Sequence, residues 1–120
     1  MELDSITINH DATIMDAIRG LSYAQHRCLL VVSGKNKLLG VLSEGDILRS
    51  ISLGNSIYSS ISNLFRKDFK YLTCEDKTEA LYIFKEYGIT LIPVVDKEFH
   101  VKQIITLLDM LDLINLEDEF

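Results

Sequence analysis

The sequence predicts a mixed α/β (α+β) chain built from two β-α-β-β-α halves, and three observations carry that expectation. An apolar, β-branched run, Cys28-Leu29-Leu30-Val31-Val32, recurs 63 positions later as Leu91-Ile92-Pro93-Val94-Val95. The same shift relates two helix starts, Thr13 with Asp16 and Asp76 with Glu79, each a capping residue followed three positions on by an acid. It also relates a second pair of helix starts, Ser43 with Asp46 and Thr106 with Asp109. Residue class is thus retained without a gap through helix, strand, turn, strand and helix, which marks an internal duplication.

The elements follow in order. The first half predicts a strand over 5–8, a helix over 14–24, strands over 28–32 and 38–42, and a helix over 44–53. The second predicts a strand at 71–72, a helix over 77–87, strands over 91–95 and 101–105, and a helix over 107–116. Ala17, Ile18 and Leu21 match Ala80, Leu81 and Phe84, so each first helix has one apolar stripe to bury. The short polar stretches 33–37 and 96–100 suit antiparallel hairpins. Between the halves Gly54-Asn55-Ser56 breaks the chain, and Ile57, Tyr58, Ile61, Leu64 and Phe65 recur at helical spacing, predicting a connecting helix over 55–68. The organisation expected is one module over 1–120, with a first motif at 3–54 and a second at 69–116. A unit of about 60 residues is marginal alone, because it buries a small fraction of its surface. The halves are therefore expected to pack sheet to sheet with pseudo-twofold symmetry, leaving clefts at their seam.

With 48% hydrophobic and 25% charged residues, the 120-residue chain has the composition of a globular domain. Its net charge of -6 opposes binding to nucleic acid or anionic membrane surfaces. No apolar run approaches the roughly 20 residues of a membrane helix, and the start Met1-Glu2-Leu3-Asp4 lacks the features of a signal peptide, so a cytoplasmic location is expected. Cys28 and Cys74 show no metal or disulfide spacing, and His10, His26 and His100 are scattered, so no metal site is expected. Catalysis is not expected either: no nucleophile and base stand at a telling spacing, and Glu44 and Asp46, two apart on a helix, face different sides.

Two stretches resemble a known family. Gly88-Ile89-Thr90-Leu91-Ile92-Pro93-Val94-Val95-Asp96 is similar to the second-strand signature of CBS motifs. Leu39-Gly40-Val41-Leu42-Ser43-Glu44-Gly45-Asp46-Ile47-Leu48-Arg49 is similar to the segment that closes one. The resemblance spans about Leu3 to Leu113 and implies a tandem CBS pair, or Bateman module. Such a module is regulatory and often holds AMP, ADP, ATP or S-adenosylmethionine. It further implies that Ser43 with Asp46, and Thr106 with Asp109, contact phosphate and ribose where a strand enters a helix. The same residues also serve as ordinary helix caps.

The first cleft is the expected ligand site. Arg27 precedes its strand and Arg49 lies one turn beyond Asp46, where the second half has Thr90 and Asp112. Gly40 stands where backbone could approach a ligand closely. Ile8, Leu29 and Leu30 are candidates to flank an adenine ring, with core packing as the competing role, and Pro93 is the second half's counterpart of Leu30. A narrower resemblance, in Glu44-Gly45-Asp46-Ile47-Leu48-Arg49 and Ser52-Leu53-Gly54-Asn55-Ser56-Ile57, is to CBS pairs found ahead of sugar-nucleotide pyrophosphorylase domains. It implies a nucleotidyltransferase partner domain. The alternative to ligand sensing is a ligand-free homodimerisation module, with Ile14, Met15, Ile18, Met110 and Ile114 as contact residues.

Overall fold

A computed structural model describes residues 3–24 and 27–111. His26, Asp112, Ile114, the acidic stretch 117–119 and the last part of the helix expected over 107–116 lie outside the described residues. The chain divides into two units, 1–69 and 70–120, each taken by itself below.

In the first unit a short 3-10 turn, Leu3–Ser5, leads into β1 (Thr7–Asn9), two residues later than the strand expected from the sequence. Helix α1 (Ile14–Ala24) follows, then β2 (Cys28–Val32), β3 (Leu38–Ser43) and α2 (Glu44–Ser52). The sheet order is β1-β2-β3, with β1 parallel and β3 antiparallel to β2. Helix α1 starts on the capping box read from the sequence: the Thr13 amide donates to Asp16 Oδ2, and the Asp16 amide donates to Thr13 Oγ1. The Thr13 amide, with the Thr13 hydroxyl, holds the Asp16 carboxyl below the usual carboxylate range. Ile14 and Ala17 are fully buried, as are Leu29, Leu30, Val31 and Leu42 of the sheet.

The second unit repeats the pattern with α3 (Lys77–Tyr87), β4 (Leu91–Val95) and β5 (Val101–Thr106), β4 and β5 pairing antiparallel. Residues 107–111 are helical. The expected strand at 71–72 is reduced to a single parallel bridge between Leu72 and Val94. Asp76 caps α3 by accepting the Glu79 amide, and Gly88, in the left-handed region at φ 63, closes it by donating to the Phe84 carbonyl. Ala80, Ile83, Phe84, Ile92, Val94, Ile105 and Met110 form the core of this unit.

The duplication extends to detail that composition does not reveal. The strand register slips between Val31 and Val32 and again between Val94 and Val95, at equivalent positions. Both hairpin turns place a residue in the left-handed region at the same point of the repeat, Asn36 at φ 63 and Phe99 at φ 69. Asn adopts that conformation readily, whereas Phe does not. The Phe99 ring packs edge-on to Tyr71, with centroids 4.7 Å apart. Each turn is closed by its first residue: Ser33 Oγ accepts from the amides of Lys35 and Lys37, and Asp96 Oδ1 from those of Glu98 and His100. The amide of His100, with that of Glu98, keeps the Asp96 carboxyl below its ordinary range.

The connector is the main departure from the sequence reading. Residues 55–68 form turns and isolated bridges, with no helix among them. Their backbone groups are committed elsewhere. The amides of Ile14 and Met15, two of the orphan donors at the start of α1, donate to the carbonyls of Ser59 and Ile57. The Ile61 amide returns a bond to the Ala12 carbonyl. Serine side chains tighten the turns, Ser56 Oγ accepting from the Tyr58 amide and Ser60 Oγ from the Ser62 amide. Of the apolar residues at helical spacing, Ile61 is fully buried and Tyr58 is 75% exposed, so no single stripe faces a core.

The two cysteines differ in a way that reagent chemistry can read. Burial pushes the Cys28 thiol up to about 11, whereas Cys74 is exposed. At pH 8 a thiol-disulfide reagent is expected to modify Cys74 at least about 100-fold faster than Cys28, since only the thiolate attacks. Comparable rates for both thiols, followed by mass spectrometry, would contradict this placement.

Candidate ligand site at the strand-to-helix junction of the first unit

The candidate site is the point where β3 becomes α2. Ser43 ends the strand in an extended conformation (φ -102, ψ 163), so its side chain turns back over the first helical turn. Its hydroxyl donates to Asp46 Oδ2 at 2.9 Å and accepts from the Asp46 amide at 3.2 Å, while the Ser43 amide donates to the same Oδ2 at 2.9 Å. Two of these bonds fix the Asp46 carboxylate, which is only 6% exposed. Its second oxygen, Oδ1, faces two cations: Arg66 Nε at 3.4 Å and Arg49 Nη1 at 3.5 Å.

Those two contacts are longer than the roughly 2.7–2.9 Å of an optimal charge-assisted bond, and a carboxylate oxygen has two lone-pair sites. Oδ2 is thus locked by Ser43, while Oδ1 is held at longer range by the two arginines. Glu44 has its amide on the Arg27 carbonyl at 3.0 Å, which ties the start of α2 to the start of β2. The Glu44 side chain lines a different feature, a groove of about 280 Å³ between α1 and α2 with Ile18, Leu21, Ser22, Ile47 and Leu48. Two residues apart, Glu44 and Asp46 serve opposite faces of the helix, as their spacing requires.

The other candidates fall into place around this junction. Arg49 reaches Asp46. The Arg27 side chain is exposed, and its contribution to the junction is its backbone carbonyl. Leu29 and Leu30 are fully buried, and Ile8, partly exposed, is carried by β1 against Val31. Pro93 is buried in β4, its carbonyl accepting from the Leu72 amide at 3.0 Å. Thr106 and Asp109 form the equivalent capping box in the second unit, with the Asp109 amide on Thr106 Oγ1 at 3.1 Å. The return bond, from the Thr106 amide to Asp109 Oδ2, is long at 3.4 Å, and Asp109 is exposed. Among the described residues it has no cation partner, whereas Asp46 is buried and faces two.

Two expectations need correction. Gly40 does not keep backbone open for a ligand. A Cβ there would collide with the Arg66 carbonyl and the Phe65 ring, so the glycine admits the connector. Ile14 and Met110 belong to the chain's own interior and offer no surface to a second copy. One residue at the site escaped the sequence reading. Arg66 lies 20 positions from Asp46 in the connector, with no motif to flag it. Among the described residues no three His, Cys, Asp or Glu side chains converge as a metal site, and no helix is long and apolar enough to cross a membrane.

A repeated strand-turn-strand-helix with a Ser/Thr-x-x-Asp box at each junction defines a duplicated motif, and comparison with known proteins gives the family. The CBS domain model matches residues 1–53 and 75–116, and the chain belongs to the CBS domain family. The fold matches a CBS domain pair/ACT domain protein from Thermotoga maritima, with a TM-score of 0.79 at 24% identity, covering 97% of this chain and 93% of that one. The CBS domain pair of protein MJ0100, solved in complex with 5'-methylthioadenosine and S-adenosyl-L-methionine, matches with a TM-score of 0.76 at 24% identity, covering 93% and 89%. The cytosolic domain of the Mg2+ channel MgtE, solved in complex with ATP, matches with a TM-score of 0.75 at 25% identity, covering 90% of this chain and 44% of that one.

Among curated proteins, a homoserine O-acetyltransferase of Methanococcus vannielii is 36% identical over 76% of this chain. An L-aspartate semialdehyde sulfurtransferase of Methanosarcina acetivorans is 31% identical over 84%. The chain spans about a fifth of the length of these relatives, 19% and 20% respectively. Neither is a sugar nucleotidyltransferase, and the expected link to that class finds no support in them.

Proposed function

We propose that this CBS pair binds an adenosine-type ligand, AMP, ADP, ATP or S-adenosylmethionine, at the β3–α2 junction of its first motif and reports occupancy to a catalytic partner. The observation that carries the reading is the Asp46 carboxylate. It is buried, held by Ser43 through one oxygen, and offers the other toward two arginines. A ribose diol needs such a fixed anionic acceptor, and a preorganised one loses little entropy on binding. The complexes of MgtE with ATP and of MJ0100 with 5'-methylthioadenosine and S-adenosylmethionine support the ligand class. The names of the relatives suggest the partner, an enzyme that acylates or sulfurates a four-carbon amino acid derivative. Coupling requires that the ligand prefer one conformation of the module over another.

Calorimetric titration of the chain with AMP, ATP, 5'-methylthioadenosine and S-adenosylmethionine tests this. At least one is expected to bind with one ligand per chain, because Asp109 is exposed and, among the described residues, lacks the cations that Asp46 has. Absence of heat with all four would refute it. A second reading, homodimerisation without ligand, is favoured by the groove between α1 and α2, whose rim residue Leu48 is 64% exposed. Light scattering on the same sample separates the two: a ligand-independent dimer with no heat of nucleotide binding supports the second reading alone.

A further inference from the structure

We propose that Arg66 is a specificity-determining residue of this site. With Arg49 it receives the anionic group of the ligand, and Asp46 holds the two guanidinium groups in position to do so. The inference rests on the adenosine-site reading for where the ligand lies. It adds that a ligand bearing phosphate is selected over a neutral nucleoside, and that the connector supplies the selecting group.

Two guanidinium groups converge on one carboxylate oxygen, Arg66 Nε at 3.4 Å and Arg49 Nη1 at 3.5 Å. The carboxylate is buried, but the arginines are 62% and 59% exposed, so the cations lie on the solvent side of the anion. One carboxylate against two guanidiniums leaves the cluster positive, in a chain whose net charge is -6. Glu44, the other acid on α2, lines the α1–α2 groove. Among the described residues neither arginine has another carboxylate partner. Arg66 spends its Nε on Asp46, which leaves both Nη groups of a planar fork suited to phosphate.

The position of Arg66 is built into the backbone. Its amide donates to the Val41 carbonyl and its carbonyl accepts from the Val41 amide, both at 2.9 Å, so the connector lies against the outer edge of β3. Gly40 makes the approach possible, since any side chain there would meet the Arg66 carbonyl. A guanidinium fixed at both its main chain and its Nε loses less freedom on meeting an anion than a free surface arginine. Under the 63-residue shift the counterpart of Arg66 is Leu3, which carries no charge.

The test compares wild type with Arg66→Gln, which keeps the main-chain pairing with Val41. Calorimetry with AMP and with adenosine is expected to show AMP weakened by about 10-fold and adenosine changed by less than about 2-fold. The wild-type preference for AMP is expected to shrink as salt is raised. Arg66→Lys, which keeps charge without the fork, is expected to fall between the two, and unchanged melting temperatures establish that the fold is intact. Equal weakening of both ligands, or none for AMP, overturns the assignment. If adenosine and AMP both fail to bind wild type, the adenosine-site reading falls and inorganic pyrophosphate decides the rest. Saturable shifts of the arginine Nε–H resonances in wild type that vanish in Arg66→Gln uphold the anion site, and their absence in wild type rejects it.

Discussion

Asp46→Ala is expected to weaken binding of the adenosine-type ligand by about 10- to 100-fold, since a hydrogen bond to a charged group contributes about 1.5–3 kcal/mol. The substitution removes the Oδ1 acceptor and also the Oδ2 that ties Ser43 to the helix start. Arg49 and Arg66 lose their shared counter-charge and become free to move, which adds to the loss. Part of the effect falls on stability, because a broken capping box costs about 1 kcal/mol. Asp46→Asn separates the contributions: its side-chain oxygen can still accept the Ser43 bonds, but the negative charge is gone. Calorimetry on both variants, with melting curves alongside, is expected to show reduced affinity in both and a smaller stability loss in Asn. Wild-type affinity in either variant would remove Asp46 from the site.

Gly40→Ala is expected to be the most damaging single-methyl change in the chain, costing about 3 kcal/mol, at the upper end of what overpacking usually costs. The added carbon would meet the Arg66 carbonyl and the Phe65 ring, and the carbonyl is backbone bonded to Val41, so it cannot yield without parting the connector from β3. Two other glycines serve as controls. A Cβ at Gly20 would come to 3.0 Å from Leu29 Cδ1, the movable end of a side chain, and alanine is the better helix former within α1, so opposing effects leave a net change within about 1 kcal/mol. Gly34, in the first hairpin turn, has nothing within 4 Å of its would-be Cβ, and alanine there is expected to change stability by less than about 0.5 kcal/mol. Urea denaturation of the three variants gives the comparison; equal midpoints for Gly40→Ala and Gly34→Ala would contradict the connector's close packing on β3.

The parts of this fold that were legible in sequence are those whose signals are local. Helix α1 over 14–24, α3 over 77–87 and the strands over 28–32 and 91–95 coincide with expectation, because a cap, a periodic apolar stripe and a β-branched run all act within a few residues. The Ser43–Asp46 box is legible for the same reason. The connector misleads because its apolar spacing imitates a helix while its backbone is bonded to Ala12, Ile14, Met15 and Val41, all distant in sequence. A signal was present: Ser56, Ser59, Ser60, Ser62 and Asn63 are residues whose side chains compete with a helix for backbone partners. For Arg66 no such signal exists. Its relation to Asp46 arises only when the connector pairs with β3, and nothing in the spacing of 20 residues encodes that.

An amide-resolved NMR titration of the intact chain with AMP and with S-adenosylmethionine addresses the ligand site itself. Saturable shifts are expected to concentrate on Ser43, Gly45, Asp46 and Arg49, and on Arg66 in the connector. Saturable binding whose shifts leave those residues unmoved, or a spectrum unchanged by either compound, would place the ligand site elsewhere or deny the chain one.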